Sequence, residues 1–381
     1  MNTRIIWIDW AKAMAVWGVV ICHIPQQPES FFIRYIQGMV IVVFFFISGY
    51  LKKDRGSQRA NWQKYWQSLL LPYFIYNALL YPYWWLKFYL SHGTAPTLLQ
   101  ALKPVFGTLL LQHENAWCEP LDGPLWYLPA ILIMHLTVDL CRRSRHQHTI
   151  LATLCLLSVV LYAANKYWYF APNLTPMGLM RNLPYYYLGY LMGRRQRCLQ
   201  PRPRLDAACC IVGLLLSVLL FHIHLHSFYA GHHLLQIALY YPANIAFLTF
   251  VLGLSRLLDA SLNSKYSPLI LKYSPFILKY SPLILKKAAR FKQNEPCFKK
   301  ISPRVNAIVT NLSEGTLVVV GFHIVLVTAA NTLRSTLFDI PHTAAYTELQ
   351  AILTALVIVA LLYPVIRIAQ HQFPLLIGRN G

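Results

Sequence analysis

Three ionisable residues share one apolar stretch near the start of the chain: Asp9, Lys12 and His23, within IIWIDWAKAMAVWGVVICH. Such groups inside a membrane span cost several kcal/mol unless paired or hydrated, and by default they mark a functional site. Their spacing can be tested against helix geometry. The eleven residues from Lys12 to His23 make about three turns, so the side chains lie roughly 20° apart around the axis and about 16 Å apart along it. Asp9 precedes Lys12 by one turn, within pairing reach. An imidazole on that stripe can take a proton from a weakly acidic hydroxyl, because its pKa lies near neutral pH. It can also accept a transferred group as a nucleophile. A plainer arrangement fits the same residues, with Lys12 snorkelling and paired to Asp9 and His23 capping the helix end.

Other candidates are more scattered. Arg181 opens RNLPYYYLGYLMGRR, where an arginine at the mouth of a span can hold a phosphate or carboxylate or serve as an interfacial anchor beside Tyr185–Tyr187. His323, in GTLVVVGFHIV, is a second imidazole within an apolar run, a position that often makes only helix–helix hydrogen bonds. His222, His224, His226, His232 and His233 crowd together, but no carboxylate or cysteine accompanies them, and no metal site is expected. A phosphate-cradling glycine loop, a serine nucleophile elbow and an HExxH motif are all missing.

The elements that must carry these residues follow from composition. The chain has 381 residues, of which 56% are hydrophobic and 12% charged. Long uncharged runs recur, so the fold class is all-α, a polytopic membrane helix bundle. Ten spans are expected, near Ile5–Ile24, Ile33–Leu51, Trp66–Leu90, Pro124–Cys141, Thr149–Ala164, Asn182–Gly193, Ala207–Ile223, His233–Leu257, Gly315–Leu333 and Glu348–Ile368. Ala101–Leu111 is apolar but too short to cross, and reads as re-entrant or interfacial. The net charge of +21 is concentrated in short clusters between spans, which is the positive-inside pattern and not a nucleic-acid-binding domain. With ten spans the basic loops fall on one side and the acidic ones on the other, which puts both termini in the cytoplasm and His23 near the outer surface. No cleavable signal peptide is expected, since no small-residue cleavage site follows the first span. The eight cysteines form no evident disulfide framework.

The whole chain, 1–381, reads as a single membrane domain. Its longest interruption is a basic loop over 258–306. Within it, 265–285 spells KYSPLIL KYSPFIL KYSPLIL, three near-identical heptads. A seven-residue period suggests a coiled coil, but Pro268, Pro275 and Pro282 would each break the helix. The repeat is expected to be a cytoplasmic loop without a catalytic role.

Five stretches in order, IDWAKAMAVWGVVICH, FFFISGYL, GPLWYLPAILIMHL, YYYLGYLMGRR and GTLVVVGFH, resemble acyltransferase family 3 of integral membrane proteins, in the branch related to fucose 4-O-acetylases. Two departures stand out. That branch often carries Phe-His-Met-Pro where this chain has Met39, Val40, Ile41 and Val42, and it often has Arg in place of Lys12. The resemblance implies transfer of an acyl group, usually acetyl, from acyl-CoA to a hydroxyl of a cell-surface glycan or lipid-linked sugar. It implies a multi-pass protein of the bacterial inner membrane, with no bound cofactor and membrane lipids as its surroundings. His23, Lys12 and Asp9 are then the expected catalytic residues. Arg181 and Lys64 are the expected contacts of the acyl-CoA donor, and Trp126, Tyr127, His323 and Asp122 those of the acceptor. A transporter or flippase for a polar lipid or sugar is the alternative, because intramembrane Asp, Lys and His also suit proton relays. It is disfavoured by the lack of a visible inverted repeat between the halves.

Overall fold

The computed structural model describes residues 4–27, 30–53, 57–112, 114–121, 123–168, 174–195, 202–262, 295–341 and 344–379. The heptad repeat and Asp122 lie outside the described residues.

The described chain is helical throughout. In order, α1 is Ile6–His23, α2 Phe31–Tyr50 and α3 Gln58–Tyr65, which continues through a π turn at Trp66–Leu70 into α4, Leu71–His92. A short α5 spans Leu98–Leu109, and a 3₁₀ turn at Gly123–Trp126 leads into α6, Tyr127–Cys141. Then follow α7 (Gln147–Trp168), α8 (Leu174–Arg194), α9 (Pro203–Tyr229) and α10 (His233–Leu262). The chain closes with α11 (Glu295–Glu314), α12 (Thr316–Phe338), α13 (Glu348–Gln372) and a 3₁₀ turn at Pro374–Ile377. Among the described residues, eight helices are long and apolar enough to cross a bilayer: α1, α2, α6 with its leading turn, α7, α9, α10, α12 and α13. α4 and α8 lie where the third and sixth spans are expected, with 22 and 21 residues.

Local sequence sets the boundaries that matter for function. α1 stops at His23 because Pro25 disfavours helical dihedrals at Ile24, which is extended at φ −78°, ψ 128°. The histidine ring is therefore the last side chain of the helix. α5 begins at a capping box between Thr97 and Gln100, and it bares Leu98, Phe106 and Leu109. Twelve residues and an exposed apolar face suit a helix lying at the interface, in line with the reading of this segment as too short to cross.

Three expected boundaries move. α8 starts two turns before Asn182, with Pro176 in its first turn, where a missing N–H costs nothing. Arg181 is thus inside the helix and not at its mouth. α9 runs on to Tyr229, so His222, His224 and His226 are helical residues and not part of a loop. The basic loop ends sooner than Asn306, because the chain is helical from Glu295. Pro303 does not prevent this, for α11 packs against α1 and tertiary contact outweighs propensity.

α1 is an innermost helix, in contact with α2, α10, α11, α12 and α13. α9 is peripheral: it packs along α10 and leaves residues such as Ile211 and Leu215 bare, at 60% and 65% exposure. A bilayer is the environment that covers such a face. α2 and α8 meet backbone to backbone. A Cβ at Gly49 would collide with the Tyr186 carbonyl, and one at Gly189 with the Phe46 carbonyl. Small residues permit this approach where helices associate in lipid. It brings Arg181 on α8 alongside the cavity that α1 and α2 border.

Candidate active site

A cavity of about 580 Å³ opens between α1, α2, α4, α6, α8 and α12. Its lining includes His23, Gln37, Phe44, Lys87, Trp126, Tyr127 and Arg181. His23 is exposed to it, at the end of α1. The loop after His23 is tied down, since the Tyr346 N–H donates to the Pro25 carbonyl at 2.8 Å. Gln37 Nε2 donates to the Cys22 carbonyl at 3.2 Å, which fixes the same end of α1 against α2. Gly178 makes room for the Trp126 ring, which any Cβ at that position would strike.

Behind His23 stands His323, fully buried on α12. The partners of the two rings define their proton positions. His323 Nδ1 is 2.9 Å from both the Val319 and Val320 carbonyls, which only accept, so it carries hydrogen. His323 Nε2 is then a lone pair, 3.2 Å from His23 Nδ1. His23 Nδ1 also faces the Val19 carbonyl at 2.8 Å, so it too is the N–H of its ring. His23 Nε2 is left with a free lone pair. The rings meet edge to face, with centroids 4.7 Å apart. If His23 gains a proton at Nε2, its Nδ1–H already has two acceptors to share the positive charge. A base held by an acceptor on its other nitrogen is the logic of catalytic triads.

The other end of α1 is organised differently. Asp9 is buried and accepts from Arg4 Nε and Nη2 at 2.6 and 3.0 Å, and from Ser313 Oγ at 2.6 Å. The expected Asp9–Lys12 pair is therefore replaced by Asp9–Arg4. The planar guanidinium reaches both carboxylate oxygens, which an ammonium one turn along the helix does not match. Arg4 also binds Glu314, which in turn accepts from Arg379 and from Gln370 Nε2 at 2.8 Å. Asp9 and Glu314 hold the Arg4 guanidinium above its ordinary pKa. Burial pushes the Glu314 carboxyl up, but Arg4 and Arg379 outweigh it and hold it below the usual glutamate value. Lys12 sits in the field of this cluster and makes no ion pair among the described residues.

Of the residues singled out from sequence, His23, Arg181, Trp126 and Tyr127 line one cavity. His323 is not among the lining residues but stands behind His23, its Nε2 3.2 Å from His23 Nδ1. Asp9, Lys12 and Lys64 are not among the cavity's lining residues. Trp7, near Asp9, contacts Tyr50 at the far end of α2, just before Lys52. Lys64 lies in the last turn of α3.

Lys87 and Gln37 were not legible as site residues. Lys87 in WWLKFYL reads as an interfacial anchor, while Gln37 in YIQGMV, a lone amide in an apolar run, was the available signal. Val40 also lines the cavity, so its wall is apolar there.

A second polar cluster lies at the Lys52 end. Lys52 Nζ is 2.6 Å from Asp139 Oδ1, Tyr65 donates to Asp139 at 2.5 Å, and His135 Nδ1 meets the Tyr186 hydroxyl. These groups are mutually satisfied and knit α2, α3, α6 and α8.

Compared with known proteins, residues 5–279 match the family model Acyl_transf_3, described as an acyltransferase domain. His323 lies beyond the matched segment. No curated protein and no solved structure matches the chain.

Proposed function

Because the chain belongs to this acyltransferase family, a family of multi-pass membrane enzymes, we propose that it moves an acetyl group from acetyl-CoA to a sugar hydroxyl, with His23 as general base. The observation that carries this reading is the His323–His23 hydrogen bond, which leaves the Nε2 lone pair of His23 free at the cavity.

The acceptor hydroxyl gives its proton to His23 Nε2 as its oxygen bonds to the acyl carbonyl carbon. The carbon–sulfur bond then breaks, and the coenzyme A thiolate leaves. It takes the proton from His23 Nε2 and departs as the thiol, and the imidazole returns to its neutral form. Base assistance of this kind contributes about 10²- to 10⁴-fold. Trp126, Tyr127 and Phe44 supply aromatic surfaces for the apolar face of a sugar ring.

Lys12 is the anchor for the donor's phosphates. Its ammonium is uncommitted, and it sits about 16 Å along α1 from His23, a gap suited to an extended pantetheine arm. Both termini are cytoplasmic and ten helices cross the cell membrane, α4 and α8 included, which places the Lys12 end at the cytoplasmic rim. The acceptor is a cell-surface glycan or lipid-linked sugar reaching the cavity from the outer side.

The test is thiol release from acetyl-CoA by the purified full chain in lipid nanodiscs, with and without a panel of sugar acceptors. Acceptor-dependent release supports the reading. Binding and passage of a sugar with no acyl turnover under any donor would replace it with a carrier.

A further inference from the structure

Arg181 is a cation without a counter-ion. Eight residues into α8, it makes no ion pair or hydrogen bond among the described residues, and its Nε is buried with no partner. Its ionisable neighbours are Tyr240, Tyr162, Tyr185 and Tyr241, with no carboxylate among them. These rings form a box: Tyr240 packs on Tyr241 at 5.3 Å, Tyr241 on Tyr185 at 5.7 Å and Tyr162 on Tyr240 at 5.7 Å between centroids. The hydroxyls of Tyr185, Tyr240 and Tyr241 are buried and unpartnered as well. Tyr185 is 1% exposed and Tyr240 7%.

Buried polar groups in native proteins are satisfied, so three hydroxyls without a hydrogen bond around a guanidinium whose own Nε is unpaired call for an explanation. Arg181 is partly exposed at the cavity wall, but its Nε is buried, and leaving a buried donor unpaired is costly. Arg181 Nε and the hydroxyls of Tyr185 and Tyr241 can all donate, while the Tyr240 hydroxyl also has the Asn244 side chain within reach, one turn along α10. Arg181 also lines the cavity of His23, where Lys87 adds a second cation. Lys166 adds a third nearby charge, its Nζ 5.9 Å from the centroid of the Tyr162 ring. No carboxylate lines the cavity among the described residues.

We propose that Arg181 and the hydroxyls of Tyr185, Tyr240 and Tyr241 bind an anionic group, a carboxylate or phosphate, on the acceptor, so that the enzyme acylates acidic or phosphate-bearing sugars in preference to neutral ones. This rests on the acyltransferase reading for the word acceptor, while the anion site itself does not. The donor is the less suitable occupant. Its thioester must reach His23, and phosphates held at Arg181 would fill the cavity in which the acceptor hydroxyl has to stand.

The experiment measures binding of glucuronate, glucose 1-phosphate, glucose and coenzyme A to the full chain in phosphatidylcholine nanodiscs. The proteins are wild type, Arg181→Gln, Arg181→Lys, Tyr240→Phe and His23→Ala. At least one anionic sugar is expected to bind about tenfold or more tighter than glucose, and Arg181→Gln to abolish that preference. Arg181→Lys, which keeps the charge, and Tyr240→Phe, which removes one hydroxyl, should each lose part of it in a folded protein. Coenzyme A affinity should be unchanged in Arg181→Gln. Equal binding of all three sugars overturns the proposal. So does loss of coenzyme A affinity in Arg181→Gln with sugar binding intact. So does displacement of the anionic sugar by phosphatidylglycerol in the nanodisc, which would identify a lipid headgroup as the occupant. Anion preference that survives in His23→Ala alongside full turnover would leave the anion site standing and remove the catalytic reading.

Discussion

His323 Nε2 lies 3.2 Å from His23 Nδ1, joining α12 to the end of α1 across 300 residues of sequence. Because His323 Nδ1 is occupied by two backbone carbonyls, the bond has one direction, from His23 to His323. On the proposed mechanism His323 acts as a positioning residue. His323→Ala should lower kcat on the order of 10²-fold while leaving the KM for acyl-CoA near wild type. His323→Gln offers an acceptor oxygen at a similar reach and should recover part of the loss. Equal defects in both variants, or a change confined to KM, would mean that the ring does not act through His23.

At the other end of α1, Lys12 and Asp9 should separate by phenotype. Lys12→Met should raise the KM for acyl-CoA roughly tenfold, and Lys12→Arg should restore most of it. Asp9 binds Arg4 and Ser313 instead of Lys12, so Asp9→Asn should appear as lost stability, roughly 1–3 kcal/mol, with residual protein active. Thermal unfolding beside steady-state kinetics checks both. A Lys12→Met enzyme with unchanged donor KM would take Lys12 out of the donor site.

The Arg4–Glu314–Arg379 cluster makes a prediction about pH. Glu314 is held below the usual glutamate pKa in the folded protein, so it binds fewer protons folded than unfolded near that value. Its stabilising contribution is then complete above the unfolded pKa and disappears as pH falls through the lower, folded one. Glu314→Gln should be destabilised at neutral pH and approach wild type in acid. Melting temperatures of both proteins, measured from pH 7 downward, test the convergence. Parallel curves would show that the carboxylate does not contribute through its charge.

Topology is open to direct test. Reporter fusions at Ser57 and Ser144 should be cytoplasmic, and those at Asn115 and His226 external. A cytoplasmic signal at Asn115 with Ser57 also cytoplasmic would remove α4 as a span, whereas an external signal at Ser57 would move His23 to the cytoplasmic side.

Much of this arrangement was legible in the sequence. The helical bundle follows from uncharged runs separated by basic clusters, and the Lys12–His23 stripe from helical periodicity. Pro25 announces where α1 ends. The glycines of FFFISGYL and YYYLGYL mark where α2 and α8 touch, although spacing alone could not say that they touch each other. Long-range choices of partner were not legible. Asp9 had two basic residues within reach, Arg4 and Lys12, and it pairs with Arg4 while also accepting from Ser313 and Thr310 of α11. Arg181 looked like an interfacial anchor because the apolar run begins after it, and only the early start of α8 carries it inside. His323 matched a motif, but its role depends on which nitrogen faces which carbonyl, a fact that has no sequence signature.

The most direct test of the central claim is acyl transfer by His23→Ala, compared with wild type at equal folded protein in nanodiscs and with saturating acetyl-CoA. His23 is exposed to the cavity, so its truncation should leave the protein level and the melting temperature near wild type. Turnover should fall at least 10²-fold, the range expected when a general base is removed. Full turnover by a folded His23→Ala protein would contradict the account and place the base elsewhere in the cavity.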